Sequence, residues 1–352
     1  MARISIHAHP HVRYSGSYFG YAYTFNEIQR YLAQVSTPEG KLNVGLNSPK
    51  ARTQIYYGSP PGAFYDHQYK IHMVQWESTQ VPDSWVEILS KYDEIWTANY
   101  FGRNAFIEAG LPESMVHVFE HGIDSHIWTP MLRGQNDKIR FLHIDSGSPR
   151  KRADIAEKAF KVAFGDDPNY ELTLKYSYHG LTGANWHNKD VLESRGEWNK
   201  NVRKIHETLP LDQLVSFYHF HDVLIYPSEG EGFGMIPLQA IATGMPVIST
   251  ALWCSYSDLF PDTQIESALG QSDIVENYPR PGMVVIPDLD STINIMKTVA
   301  SDILSYAAKG MSYVNDAIRK YSWAQQCQNV IDGLIGRKGN EILGAYIGYL
   351  DK

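Results

Sequence analysis

The run Tyr226-Pro-Ser-Glu-Gly-Glu-Gly-Phe-Gly-Met-Ile-Pro-Leu-Gln-Ala-Ile-Ala-Thr-Gly-Met-Pro-Val-Ile-Ser-Thr250 carries the most structural information in the chain. The apolar residues Val223–Tyr226 ahead of it read as a buried strand, which runs into a glycine-rich loop. The loop opens a helix from Ile236 to Thr243, which stops at Gly244-Met245-Pro246, and a strand Val247–Ser249 follows. Gly232 and Gly234 allow the backbone to approach a ligand closely. Pro237 falls in the first helical turn, where its missing N–H does no harm. Free amides and the positive end of the helix dipole make an anion site suited to a diphosphate. Glu231 would repel phosphate, so its chemistry there suits the hydroxyls of a sugar, as hydrogen-bond acceptor.

The same alternation extends in both directions. Upstream in the second half lie strand Ile139–Ile144, helix Ala153–Phe164, strand Tyr170–Tyr176 and helix Leu211–Tyr218. The first half offers strand Arg3–Ala8, a loop with Gly16 and Gly20, and a helix from about Thr24 with Phe25, Ile28 and Leu32 on one face. Strand Lys70–Gln75, a helix Pro82–Lys91 with Ser84 and Glu87 at capping-box spacing, strand Glu94–Ala98 and strand Val116–Glu120 follow. Helices dominate after Ser291. Thr129–Lys138, with Pro130, Gly134, Gln135, Asn136 and Asp137, reads as a linker. The expected fold class is α/β, with two doubly wound Rossmann-like domains and ligands at the carboxyl ends of the strands. The expected domains are 1–133, 138–315 and a C-terminal helical segment 316–352 that crosses back to the first domain.

A length of 352 residues suits two cores rather than one. The net charge of −8 gives no general attraction to nucleic acid or anionic lipid, and residues 1–135 hold 10 Lys/Arg against 12 Asp/Glu. Two cysteines, Cys254 and Cys327, make no disulfide framework. Arg3, His7, His9, His11 and Arg13 stand where a signal peptide needs an apolar run, and no stretch has the length of a membrane span. The expectation is a cytoplasmic protein without integral membrane association.

The quoted stretch resembles glycosyltransferase family four (glycosyl transferases group one), with its Pro-Ser, its Glu-Gly-Phe-Gly loop and its Gly-x-Pro-Val strand entry. The resemblance implies a GT-B fold, a retaining transferase, and a nucleotide sugar as co-substrate with no essential cofactor. It implies that Glu231 contacts the donor sugar and that the Gly232 loop, through the amides of Phe233, Gly234 and Met235, holds the diphosphate. The second Glu of the family pattern, which serves the ribose, is Gln239 here; an amide can still donate and accept at hydroxyls.

Phe141-Leu-His-Ile-Asp-Ser-Gly-Ser-Pro-Arg-Lys-Arg152 is similar to the family's basic loop, which implies Lys151 as the cation on the departing diphosphate and Arg150 as its helper. The separate Arg that the pattern places after the strand is absent, and Asp145-Ser146 stands there. His121-Gly-Ile-Asp-Ser-His-Ile-Trp-Thr-Pro130 is similar to the passage between the domains, where Gly122 and Asp124 shape a loop. Trp76-Glu-Ser78, Pro82, Trp85 and Tyr92-Asp-Glu-Ile-Trp96 match a branch of the family, which implies Glu77 and Ser78 near the acceptor hydroxyl. Gly16 sits where such enzymes close a loop over donor phosphates. The Gly-Gly-x-x-Glu expected near 255 is replaced by Trp253-Cys-Ser-Tyr-Ser-Asp258.

On this reading Lys151, Arg150 and Glu231 are the catalytic residues, and Gly232, Phe233, Gly234, Met235, Gln239 and Gly16 bind the donor. No Asp-x-Asp occurs, so no metal is expected to be essential. The expected acceptor is a saccharide or lipid-linked saccharide. The alternative acceptor is a modified base in viral DNA, stacked on the rings of Tyr14–Phe25, Tyr56, Tyr57 and Tyr65. Rival classes are an inactive nucleotide-sugar-binding module, an epimerase of the same fold, and a zinc hydrolase built on His7, His9 and His11.

Overall fold

The computed structural model describes residues 4–8, 20–38, 40–46, 51–61, 69–133, 136–181, 183–274 and 280–343. Two compact units are formed, one from residues 1–122, 280–282 and 321–352, the other from 123–279 and 283–320.

The first unit is built on six parallel strands: β1 (Ile4–Ala8), β2 (Val44–Leu46), β3 (Thr53–Tyr57), β4 (Tyr69–Met73), β5 (Glu94–Thr97) and β6 (Val116–Val118), in the order β2-β1-β3-β4-β5-β6. Helices α1 (Gly20–Leu32), α2 (Asp83–Leu89) and α3 (Tyr100–Glu108) belong to it. α1 starts four residues before the expected Thr24. α2 is capped by Pro82 without a side-chain hydrogen bond, so the Ser84–Glu87 capping box does not form. Asn99 caps α3 instead, accepting from the Gly102 amide at 2.7 Å.

The second unit has β7 (Ile139–Asp145), β8 (Tyr170–Leu181), β9 (Glu197–Asn199), β10 (Val202–Thr208), β11 (Val223–Tyr226) and β12 (Val247–Ser249), in the order β9-β10-β8-β7-β11-β12. β9 is antiparallel to β10 and the other pairs are parallel. Helices α4 (Ala153–Phe164), α5 (Leu211–Phe220) and α6 (Met235–Ala242) alternate with these strands, and α7 (Leu289–Ser301) and α8 (Ile303–Tyr321) follow. Phe141, Phe160, Leu172, Leu174, Val223, Ile225, Ile248 and Met296 form one buried apolar cluster. β7 lies between β8 and β11, so the winding reverses at the β7/β11 edge, where open α/β sheets place their ligands.

The first unit ends at Gly122 rather than at 133. Trp128 packs edge-on against Tyr218 of α5, at 5.1 Å between ring centres. The Arg133 guanidinium donates to the carbonyls of Tyr218, His221 and Thr243, so it closes the exposed ends of α5 and α6 together. Arg133 lies within the stretch Thr129–Lys138 that the Pro and Gly content marks as a linker, and composition gives no sign of this anchoring. α9 (Trp323–Lys338) packs on α1 in the first unit, and a Cβ at Gly122 would lie 2.4 Å from Trp323 backbone atoms.

The α9 attachment rests on a buried ion pair. Glu94, 1% exposed, accepts from Arg337 at 3.1 and 2.9 Å, from Trp96 Nε1 at 2.8 Å and from Tyr69 Oη at 3.0 Å. Burial opposes the Glu94 charge, but the hydrogen bonds from Arg337 and Trp96 outweigh it and hold its pKa below the ordinary value. A depressed carboxylate contributes stability above its unfolded pKa of about 4.3 and loses it as pH falls below that. Arg337→Ala leaves this carboxylate buried without its cation and should cost about 3 kcal/mol or more in chemical denaturation at pH 7. The deficit should shrink below pH 4; a loss under 0.5 kcal/mol, or one unchanged by acid, would contradict the attachment.

Candidate active site

β11 is buried at every residue, as is the loop that leaves it from Pro227 to Gly234. Gly234 ends the loop at φ 84°, a left-handed conformation that glycine adopts without steric cost. A Cβ there would lie 2.4 Å from the Trp253 ring and 2.7 Å from Tyr256 Oη. The Tyr256 hydroxyl donates to the Gly234 carbonyl, and Trp253 Nε1 donates to Thr250 Oγ1 at 3.0 Å. The aromatic residues that replace the expected Gly-Gly-x-x-Glu therefore form the wall behind the loop. α6 begins at Met235 with no side-chain cap. The amides of Gly232, Gly234 and Met235 have no acceptor among the described residues. Uncapped N–H groups at a helix start, beside a backbone bend only glycine takes easily, suit an anion.

The opposing loop follows β7. Pro149–Lys151 makes one 3-10 turn, and Arg152 then takes φ 55°, ψ 47° before α4 starts. A side chain in that region costs about 1–2 kcal/mol, so something must hold it. Arg152 Nη1 meets the fully buried Glu229 at 2.6 Å and Asp273 at 3.0 Å, while Nη2 meets Asp154 at 2.9 Å. The Glu229 amide also donates to the Arg150 carbonyl at 3.0 Å, which joins the two loops through the backbone.

Arg150, Lys151 and Glu231 meet where these loops join. Lys151 Nζ donates to Glu231 Oε1 and Oε2 at 2.6 and 2.8 Å, and to Tyr226 Oη at 2.5 Å. Arg150 Nη1 lies 3.0 Å from Glu231 Oε1 and also donates to the Gly230 carbonyl. Ser228 Oγ and Tyr226 Oη donate to Glu231 Oε1 at 2.7 and 2.9 Å. Burial alone would raise the Glu231 pKa, yet the charges of Arg150 and Lys151 bring it down to about 2. Burial lowers the Lys151 pKa, with Glu231 working against that. The cluster is thus an ionised carboxylate held by two cations, beside a row of open amides.

Gln239, on α6, accepts from Tyr218 Oη at 3.2 Å through Oε1, and its Nε2 has no partner among the described residues. Phe233 is buried against Tyr256, with ring centres 5.4 Å apart. Asp145, 2% exposed at the end of β7, lies 3.1 Å from His143 Nε2 and accepts from the Gly147 amide. In the first unit Glu77 is half-buried. Ser78 is fully buried, and its hydroxyl donates to the Pro281 carbonyl at 2.7 Å. Gly16, His9, His11, Tyr14 and Tyr65 lie outside the described residues. His7 is bonded to Gln54 and Ser5 and stacked on Tyr56 at 5.0 Å. Tyr23, Phe25, Tyr56 and Tyr57 are at most 7% exposed, so these rings pack in the core and offer no face for a base. Sequence reasoning missed Tyr226 as a site residue; a strand-end tyrosine beside Pro-Ser carried no signal apart from burial.

The family described as Glycosyl transferases group 1 matches residues 131–272. HepE of Anabaena, solved with UDP and glucose, shares the fold with a TM-score of 0.62 at 11% identity, covering 95% of this chain and 100% of that one. WaaG, described as a glycosyltransferase involved in lipopolysaccharide biosynthesis, superposes with a TM-score of 0.57 at 12% identity, covering 94% and 100%. The architecture is the GT-B fold of those glycosyltransferases. In sequence, the chain is similar to the sulfoquinovosyl transferase SQD2 of Arabidopsis thaliana, 23% identical over 230 residues, which cover 63% of this chain and 40% of that protein. It is 24% identical over 192 residues to the D-inositol 3-phosphate glycosyltransferase of Streptosporangium roseum, covering 49% and 43%. The match therefore spans less than half the length of both curated relatives.

Gly234→Ala should cost about 1–2 kcal/mol for the left-handed backbone and about 1–3 kcal/mol more for overpacking against Trp253. Gly110→Ala, at φ 101° with nothing within 4 Å of its Cβ, should show the backbone cost alone. Equal unfolding free energies for the two variants would mean that the Trp253–Tyr256 wall does not fix the loop.

Proposed function

We propose that this chain is a retaining glycosyltransferase that moves a sugar from a nucleoside diphosphate donor to a hydroxyl of a saccharide or lipid-linked saccharide. The observation that carries the reading is the juxtaposition of Lys151 and Arg150 with Glu231 beside the open amides of Gly232, Gly234 and Met235. Cations and amides complement a diphosphate, and an ionised carboxylate complements sugar hydroxyls. UDP is the first nucleotide to consider, because HepE was solved with UDP and with UDP-glucose. The description of WaaG as involved in lipopolysaccharide biosynthesis supports a saccharide or lipid-linked saccharide acceptor. The buried Tyr56 and Tyr57 rings withdraw support from a flipped DNA base.

In the reaction, the bond from the sugar's anomeric carbon to the diphosphate oxygen breaks, and the electron pair leaves with the diphosphate. Lys151, Arg150 and the α6 amides stabilise the charge that develops there, commonly the largest contribution to such catalysis. Glu231 accepts from sugar hydroxyls and fixes the ring. The acceptor oxygen bonds to the anomeric carbon on the face the diphosphate leaves, and the acceptor's proton passes to a departing phosphate oxygen. Gln239 offers Nε2 to a ribose hydroxyl. The resemblance of Trp76-Glu-Ser78 to the family branch implies Glu77 for the acceptor hydroxyl, and Ser78 holds that segment by donating to the Pro281 carbonyl.

UDP-glucose at 100 times its dissociation constant should stabilise the protein by about 2.7 kcal/mol in thermal unfolding. Lys151→Ala should lower kcat for donor turnover roughly 10²–10³-fold with little change in donor KM. Near-normal turnover in that variant would remove Lys151 from the mechanism.

A further inference from the structure

Tyr226 closes β11, and its side chain is fully buried. Its hydroxyl accepts a hydrogen bond from Lys151 Nζ at 2.5 Å and donates one to Glu231 Oε1 at 2.9 Å, so it bridges the two loops. Lys151 Nζ also stands 5.2 Å from the centre of the Tyr226 ring. Burial first, and then the Glu231 charge, keep the phenol protonated well beyond neutral pH. An ammonium has three protons to donate, and the acceptors around Lys151 are Tyr226 Oη and both oxygens of Glu231. A diphosphate therefore recruits Lys151 by taking the place of Glu231 as acceptor of its protons, which frees carboxylate positions a sugar would use. The phenol carries no charge and need not be displaced. It is fixed by a sheet strand rather than by either loop.

We propose that Tyr226 is a positioning residue: its hydroxyl is the pivot on which Lys151 turns from Glu231 to the departing diphosphate. This rests on the site reading above and adds to it a residue outside both loops. With the pivot in place, Lys151 stays desolvated and aimed while its carboxylate contacts are exchanged. Release of Lys151 then opens Glu231 acceptor positions to the sugar, while Ser228 and Tyr226 go on donating to Oε1. Without the pivot, the ammonium has only the carboxylate to return to, and the exchange loses its guide.

The test is a double-mutant cycle of Tyr226→Phe and Lys151→Met, with kcat and KM for UDP-glucose turnover, UDP affinity by calorimetry, and unfolding temperature for each protein. Tyr226→Phe should lower kcat about tenfold to a hundredfold, the range for a hydrogen bond to a charged group, with donor KM within about twofold. The charged groups facing Lys151 are Glu231, Arg150 and, farther off, Asp145, and all are retained. Loss of the phenol acceptor disfavours the ammonium, so the alkaline limb of kcat/KM should move to lower pH. In the Lys151→Met background the phenol should have no further effect on kcat. Equal losses in both backgrounds, or a lowered unfolding temperature with kcat and the alkaline limb unchanged, would overturn the proposal. A wild-type protein that binds none of UDP, GDP and ADP would instead overturn the site reading, and the pivot with it.

Discussion

A carboxylate removed from water must find positive charge, and Glu231 finds it only because two separate loops deliver it to one point. Each buried ion costs several kcal/mol in lost hydration, and that cost is offset only where geometry and hydrogen bonding are good. Lys151 and Arg150 follow β7, and Glu231 follows β11, its neighbour in the sheet. The parallel order makes both loops emerge at the same edge. Several features that look unrelated serve this meeting. Gly234 turns left-handed so that α6 can start against Trp253 and Tyr256, and Arg152 turns left-handed so that the basic turn can face Glu231. The Arg152–Glu229 pair and the Glu229 amide hold the second of these bends in place.

The resting cluster is also internally competitive. Lys151 and Glu231 satisfy each other, so a ligand gains only by offering more than the contacts it breaks. A diphosphate offers Lys151 several charged oxygens, and a sugar offers Glu231 several hydroxyls. A ligand bearing both groups recovers both halves of the broken pair, whereas phosphate alone leaves Glu231 beside a new negative charge. Selectivity for a nucleotide sugar over free nucleotide thus follows from the ion pair itself on the proposed reading. Gln239 fits the same logic, because Tyr218 occupies its oxygen and leaves a donor available.

The second unit was more legible than the first because its strands are apolar runs. Val223–Tyr226 and Val247–Ser249 have the bounds that their hydrophobic residues suggest, and α4 spans the expected Ala153–Phe164. Thr53–Tyr57 gave no such signal, although it is a central strand, because Gln54 is buried through its bond to His7. Val202–Thr208 was hidden in the same way: Arg203 is 1% exposed only because Thr173 and the Leu192 carbonyl take its protons. Periodicity cannot register a polar residue whose partner is distant in sequence. Within the site, Lys151 and Glu231 were readable from short patterns around each of them. Tyr226, Trp253 and Tyr256 were not, since aromatic residues near strands mostly fill cores, and their hydrogen bonds appear only in the folded chain.

The most direct measurement is a crystal structure of the protein with UDP-glucose bound. The account predicts the diphosphate within hydrogen-bonding distance of the Gly234 and Met235 amides, Lys151 turned from Glu231 onto the phosphates, and Glu231 on the sugar hydroxyls. A donor bound elsewhere, or bound there with the Lys151–Glu231 pair intact and Glu231 away from the sugar, would contradict it.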